Sequence, residues 1–306
     1  MAGWSGPGST ADGYAVAILA NVADGSAARA ARQAPVEGVG LFRTELCFLD
    51  AETEPSVAAQ ADIYAEVLEA FAGHKVVIRT LDAGSDKPLK FVNSPEEENP
   101  ALGVRGFRII ELDAALVARQ LDAIAEAGTR TGNAPWVMAP MIATPEEARR
   151  FAELARERGL HPGVMIEVPA AALLADKILE HVEFLSIGTN DLTQYTMAAD
   201  RMSSDLATLT DPWQPGVLAL VAKTASAGQA SGKPVGVCGE AAADPLLACV
   251  LTGLGVTSLS AAASAVTPVG AKLSTVTLQQ CRDAAAAVLG TGSPAEARAV
   301  AQDVLG

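Results

Sequence analysis

Polar residues that could do chemistry follow directly on short apolar runs at several places in this chain. Glu167 closes Gly163-Val-Met-Ile, Asn190 and Asp191 follow Val182 to Ile187 after Gly188, and Cys238-Gly239-Glu240 follows Pro234-Val-Gly-Val. Arg43-Thr44-Glu45 and Arg79-Thr-Leu-Asp82 end two further apolar runs. Glu167 and Asp191 suit a hard cation that keeps several waters and takes its remaining ligands from a substrate, and magnesium is the natural candidate. The alternative reading of these carboxylates is as salt-bridge partners of nearby arginines. Arg43, Arg79, Lys87, Arg105 and Arg201 form the positive counterpart. Guanidinium forks match phosphate and carboxylate oxygens bidentately, so such a group in a chain of net charge −14 implies a small, multiply anionic phosphate or carboxylate ligand.

These residues need a frame that brings strand ends together. Apolar, β-branched runs too short for helices occur at Tyr14–Val22, Gly38–Thr44, Lys75–Asp82, Trp136–Met141, Gly163–Val168, Val182–Ile187, Pro234–Cys238 and Ser258–Ala262. Helix-like segments alternate with them, at Ser26–Gln33, Val57–Phe71, Ala114–Ala127, Pro145–Arg158, Ala170–Glu180, Pro215–Ala230 and Asp244–Leu254. Thr144-Pro145 with Glu147 is a hydroxyl cap with a returning carboxylate. A helix around Pro268–Leu289 and a last one opened by Ser293 and Glu296 end the chain. Eight strand–helix units predict a (β/α)8 barrel, with the strand C-termini converging on one mouth. The connection Ala83–Gly106 exceeds usual loop lengths, as functional loops do.

Composition narrows the function classes. The 306 residues are half apolar, which assures a large core, and a pI near 4.6 argues against a nucleic-acid partner. No apolar run reaches the roughly 18 residues of a membrane helix and no signal-peptide leader is visible, so a soluble, cytoplasmic protein is expected. Cys47, Cys238, Cys249 and Cys281 are too far apart for a paired zinc motif and are read as reduced thiols. Residues 1–11 include Gly-Pro-Gly-Ser, which resembles the scar of a removed tag, leaving 12–306 as the expected domain.

Six motifs in order resemble the C-terminal half of enzyme I of the phosphoenolpyruvate:sugar phosphotransferase system. They are Gly40-Leu-Phe-Arg-Thr-Glu45, Arg79-Thr-Leu-Asp-Ala-Gly-Ser-Asp-Lys87, Glu98-Asn-Pro-Ala-Leu-Gly-Val-Arg105, Gly163-Val-Met-Ile-Glu-Val-Pro-Ala-Ala171, Ser186-Ile-Gly-Thr-Asn-Asp-Leu-Thr-Gln-Tyr-Thr196 and Gly236-Val-Cys-Gly-Glu240. Pyruvate phosphate dikinase shares several of them, but Asp86-Lys87 and the Ser186–Asp191 wording are closer to enzyme I. The resemblance implies phosphoenolpyruvate (PEP) as substrate, with Arg43, Arg79, Lys87 and Arg105 on the phosphate and Arg201 and Asn190 at the carboxylate end. It implies magnesium on Glu167 and Asp191, and Cys238 as the acid that protonates the enolate carbon when pyruvate forms. It further implies a homodimer through this half, a phosphocarrier protein downstream, sugar uptake, and a phosphoryl-accepting histidine on a separate N-terminal domain.

None of His74, His161 and His181 lies in the Thr-Ser-His setting of that histidine, and all three fall at strand starts, on the face opposite the mouth. PEP binding without completed phosphotransfer is therefore expected of this chain alone. Ser85 and Ala243 stand where the family usually has glycine. The alternative functions are a lyase or aldolase acting on a keto acid, which would turn over unaided, a pyruvate phosphate dikinase-like domain, and a non-catalytic dimerisation and ligand-sensing module. Cys249 and Cys281 are read as buried core thiols and Cys47 is left unassigned. Glu240 is read either as orienting Cys238 or as capping the next helix.

Overall fold

Eight short strands carry the fold in the computed structural model, which describes residues 4–84, 88–92 and 96–306. They are β1 (Ala17–Val22), β2 (Gly38–Arg43), β3 (Lys75–Arg79), β4 (Trp136–Ala139), β5 (His161–Ile166), β6 (Phe184–Ile187), β7 (Val235–Val237) and β8 (Ser258–Ala261). All pair in parallel in chain order and β8 returns to β1, closing the barrel as expected. Strands buried on both faces must be apolar throughout, which is why they read as continuous rather than alternating runs. Leu41, Val77, Met138, Met165, Phe184 and Cys238 pack together as a small apolar cluster, separate from the large core that joins sheet and helices.

The helices begin where short polar side chains satisfy orphan amides. Thr144 and Glu147 form the expected reciprocal cap at helix Pro145–Arg156, and Asp244 accepts from Leu246 and Leu247 at helix Pro245–Gly253. Two expected helices are each divided. Ala170–Glu180 is two short helices, Pro169–Leu173 and Ala175–Leu179, separated at Leu174, and the segment read as Pro268–Leu289 is Ala263–Leu273 and Leu278–Leu289. Thr277 and Gln280 cap the second of these reciprocally, a start signal inside what the apolar pattern reads as one helix.

Residues 4–11, expected to lie outside the fold, instead pack on it. The Gly8 N–H donates to the Glu37 carboxylate at 2.9 Å, Ser9 bridges Ala15, and Trp4 packs beside Gly270. The three histidines lie at strand starts as expected. His161 stacks on Trp136 with ring centroids 4.8 Å apart, and its Nδ1 is 2.9 Å from Glu183. Among the described residues no helix is long and apolar enough to cross a membrane.

Candidate functional site

A cavity of about 640 Å³ opens at the C-terminal ends of the strands. Its wall includes Arg43, Arg79, Glu167, Asn190, Asp191, Arg201, Cys238 and Glu240, so most of the strand-end residues picked out by their spacing do converge. Among the described residues the buried charged side chains number six, Glu45, Arg79, Asp82, Arg105, Glu167 and Asp191, and all belong to this one mouth. Burying a charge is costly without a partner, and a structure that concentrates all its buried charges at one place has a use for them there.

Glu45, Arg79, Asp82, Arg105 and Asp191 form a chain of ion pairs. Arg79 reaches Glu45 at 2.5 Å and Asp82 at 3.2 Å. Arg105 donates to both Asp82 oxygens at 3.0 and 2.9 Å, and its other nitrogen lies 3.4 Å from Asp191 and 3.3 Å from the Tyr195 hydroxyl. Arg105 is 1% exposed and does not line the cavity, so it stands behind the wall as a support for Asp191 and Asp82. Arg43, by contrast, is exposed on the cavity wall. Arg201 also lines it, with its backbone N–H fixed by the Gln194 side chain at 3.1 Å. Lys87 lies outside the described residues, as does Ser85.

Glu167 is fully buried, and its Oε1 accepts the Met141 N–H at 2.7 Å. Met141 adopts a left-handed backbone with φ 61°, a conformation costly for a residue with a side chain. The other oxygen, Oε2, is buried with no hydrogen-bond partner among the described residues. Burial, reinforced by Asp191 and Asp82, pushes the Glu167 carboxyl up to about 8 against an ordinary 4.5. A buried carboxylate oxygen without a donor, beside a second carboxylate, fits a divalent cation. No group of three or more His, Cys, Asp or Glu gathers as a metal cluster among the described residues.

Cys238 is 2% exposed at the mouth, its N–H donating to the Ile187 carbonyl at 3.0 Å and its Sγ 3.6 Å from the same oxygen. Burial pushes its thiol above the ordinary range, against a hydrogen bond to Ser186 and the charge of Arg79, so the sulfur keeps its proton at neutral pH. Asn190, in the first turn of helix Thr189–Met197, and Glu240, at the start of the 3-10 helix Glu240–Ala243, tie two helix starts at the mouth together. Asn190 donates to the Glu240 carboxylate at 3.1 Å and accepts the Glu240 N–H at 2.8 Å. Glu240 thus holds Asn190, and Asp244 caps the following helix. Gly239 permits this closeness, because a Cβ there would lie 2.0 Å from the Thr189 hydroxyl.

Cys47 does not line the cavity. Its thiol bonds the Ala23 carbonyl at 3.2 Å, and burial pushes it up to about 12. Glu45 and Asp82, which the sequence places at strand ends without assigning a role, join the ion-pair chain, and Asn21, which the sequence does not single out, lines the cavity near the end of β1. A polar side chain ending an apolar strand was the available signal in each case.

The chain matches the family described as PEP-utilising enzyme, PEP-binding domain, over residues 5–278. It is 52% identical to the phosphoenolpyruvate-protein phosphotransferase of Streptomyces coelicolor, an alignment covering 100% of this chain and 55% of that protein. The multiphosphoryl transfer protein of Rhodobacter capsulatus is 43% identical over 95% of the chain and 36% of its own length. The phosphoenolpyruvate-protein phosphotransferase of Haloferax volcanii is 41% identical over 94% of the chain and 53% of its own length. The chain spans about half the length of the phosphotransferases it matches, and less of the multiphosphoryl protein. By the matched region, and with the closed barrel and its charged mouth in agreement, the chain belongs to the PEP-utilising enzymes, in their PEP-binding domain.

Proposed function

We propose that this chain binds PEP at the strand C-termini and presents its phosphoryl group to a histidine carried by another domain, as the PEP-binding part of a phosphoenolpyruvate-protein phosphotransferase. The observation that carries the reading is that, among the described residues, four of the six buried charged side chains line one cavity and the other two, Asp82 and Arg105, are ion-paired to them, while its wall also holds exposed Arg43 and half-buried Arg201. Arg43 and Arg79 hold the phosphoryl oxygens by charge-assisted hydrogen bonds, with Lys87 added by family resemblance. Arg201 and Asn190 hold the carboxylate end. Arg105 acts from behind, holding Asp82 and Asp191 in place through ion pairs.

Glu167 and Asp191 would hold magnesium, which would supply positive charge against PEP and its phosphoryl group. The chain's own part in transfer is positioning, since the phosphorus–oxygen bond to the enolate breaks as a bond to the histidine nitrogen forms. Cys238 then supplies its proton to the enolate carbon, a role that a thiol held protonated by burial can fill. A homodimer through this chain, a cytoplasmic setting, and onward transfer to a phosphocarrier protein for sugar uptake belong to the same proposal, on the strength of the motif resemblance.

The test is complementation. The part of the Streptomyces coelicolor relative that this chain does not cover, prepared separately, is mixed with this chain, PEP and magnesium. Phosphorylation of that part only when this chain is present is the expected result. Steady pyruvate production by this chain alone would favour a lyase or phosphatase instead.

A further inference from the structure

Cys238 sits one residue past the end of β7, where its peptide loses the usual neighbour on one side. Pairing between β7 and β8 stops at Val237 with Leu259. On the β6 side the Cys238 N–H is held by Ile187. On the other side the Cys238 carbonyl is taken by a side chain two strands away, with the Asn21 Nδ2 donating at 3.1 Å. A register shift in the β1–β2 pairing between Ala20 and Asn21 accompanies this placement, and such irregularities re-aim side chains at barrel rims.

The Asn21 amide is itself oriented. The Cys238 carbonyl can only accept, so the NH2 group must face it, leaving Oδ1 for the Ser260 hydroxyl at 2.6 Å. That hydroxyl also lies 3.1 Å from the Ala20 carbonyl. Ser260 needs the space that Gly40 leaves open, because a Cβ at position 40 would stand 2.4 Å from its oxygen. Three strands therefore converge on one peptide, and that peptide carries the thiol.

We propose that Asn21 is a positioning residue that fixes the Cys238 peptide, and through it the direction of the thiol toward the enolate carbon. This inference rests on the proton-donor reading of Cys238. In that step the S–H bond breaks with its electron pair left on sulfur, and the enolate's C2–C3 pair forms the new C3–H bond. The enolate oxygen closes the C2 carbonyl, and solvent returns a proton to the thiolate. Misplacing a reacting group by on the order of 1 Å costs about a hundredfold in rate, and a peptide freed on one side has that latitude.

Two readouts on the full chain separate the claims. Deuterium uptake into the pyruvate methyl group, followed by proton NMR in heavy water with magnesium, reports the reverse of the protonation step. Alkylation of Cys238 by iodoacetamide, mapped by mass spectrometry across pH, reports the thiol without any reaction. Asn21→Leu, neutral and near-isosteric, and Asn21→Asp, which keeps the Ser260 contact but lacks the donor, are expected to slow deuterium uptake tenfold to a hundredfold. Their PEP affinity should stay within threefold, and the Cys238 alkylation rate and its pH profile should change by threefold or more. Ser260→Ala should give a smaller effect in the same direction. An Asn21→Leu chain that exchanges and alkylates as the unaltered chain does would overturn the proposal, as would exchange and PEP affinity falling together, which would make Asn21 a ligand contact. If the Asn21→Leu substitution prevents folding, Asn21→Asp decides by the same criteria. Equal deuterium uptake by the unaltered chain and Cys238→Ala would overturn the proton-donor reading, and with it the catalytic half of this inference, while the alkylation profiles still decide whether Asn21 holds the thiol.

Discussion

Replacing Glu167 by Gln should stabilise the ligand-free chain at high pH and destroy its response to magnesium. The Gln side chain keeps an oxygen for the Met141 N–H, so the hydrogen bond at 2.7 Å survives while the charge is lost. In the folded chain burial holds the Glu167 proton up to about pH 8, whereas the unfolded chain releases it near 4.5. Between those limits the folded state binds more protons than the unfolded one, so stability falls as pH rises through that window. At about 1.4 kcal/mol per unit, the full loss approaches roughly 4–5 kcal/mol above pH 8, with the largest change between pH 5 and 8. The Glu167→Gln chain lacks this slope. Urea unfolding at pH 5, 7 and 9 with a chelator present measures it directly. The two chains should agree within about 1 kcal/mol at pH 5 and diverge as pH rises, with the variant the more stable. Magnesium and PEP together should reverse the order at pH 8, since a ligand at a hundred times its Kd stabilises by about 2.7 kcal/mol and only the unaltered chain binds both. Parallel stability curves across pH would refute the claim that a buried, proton-holding carboxyl stands at this site.

The other substitutions divide contact from support. Arg43→Ala removes an exposed cavity residue and should weaken PEP binding by about 1.5–3 kcal/mol, about tenfold to a hundredfold, with the unfolding midpoint unchanged, as calorimetric titration and thermal melts would record. Arg79→Ala also leaves Glu45 and Asp82 without this partner, so it should lower stability by roughly 3–5 kcal/mol in addition to its loss of affinity, as denaturant titration would show. Gly239→Ala forces a methyl group against the Thr189 hydroxyl and should cost about 1–3 kcal/mol of stability together with magnesium and PEP affinity; an unchanged titration would mean that the start of helix Thr189–Met197 yields freely. Cys238→Ala should retain PEP binding within threefold while pyruvate deuteration falls at least tenfold.

The barrel was legible because each strand is an apolar run ended by a polar residue, and because β5, β6 and β7 end in Glu167, Asn190-Asp191 and Cys238, whose chemistry is recognisable one strand at a time. The ion-pair chain was not. Arg105 meets Asp82 23 residues away and Asp191 86 residues away, and spacing alone cannot distinguish an arginine that lines a cavity from one that stands behind its wall. The break at Leu174 carries no proline or glycine, so apolar periodicity runs through it. The strained Met141 backbone and the donor role of Asn21 are consequences of barrel closure, which brings β1, β4 and β7 to one mouth and leaves no trace in local sequence. The packing of residues 4–11 includes a long-range tie, the Glu37 carboxylate accepting both the Gly8 and Ile18 amides.

The central claim is that the chain binds PEP through magnesium and then waits for a histidine from elsewhere. Calorimetric titration of PEP into the chain, with magnesium and again with a chelator, while pyruvate is assayed in the same sample, tests it most directly. Magnesium-dependent binding with no pyruvate released is the predicted result. Binding indifferent to the chelator, or steady pyruvate release from the chain alone, would contradict it.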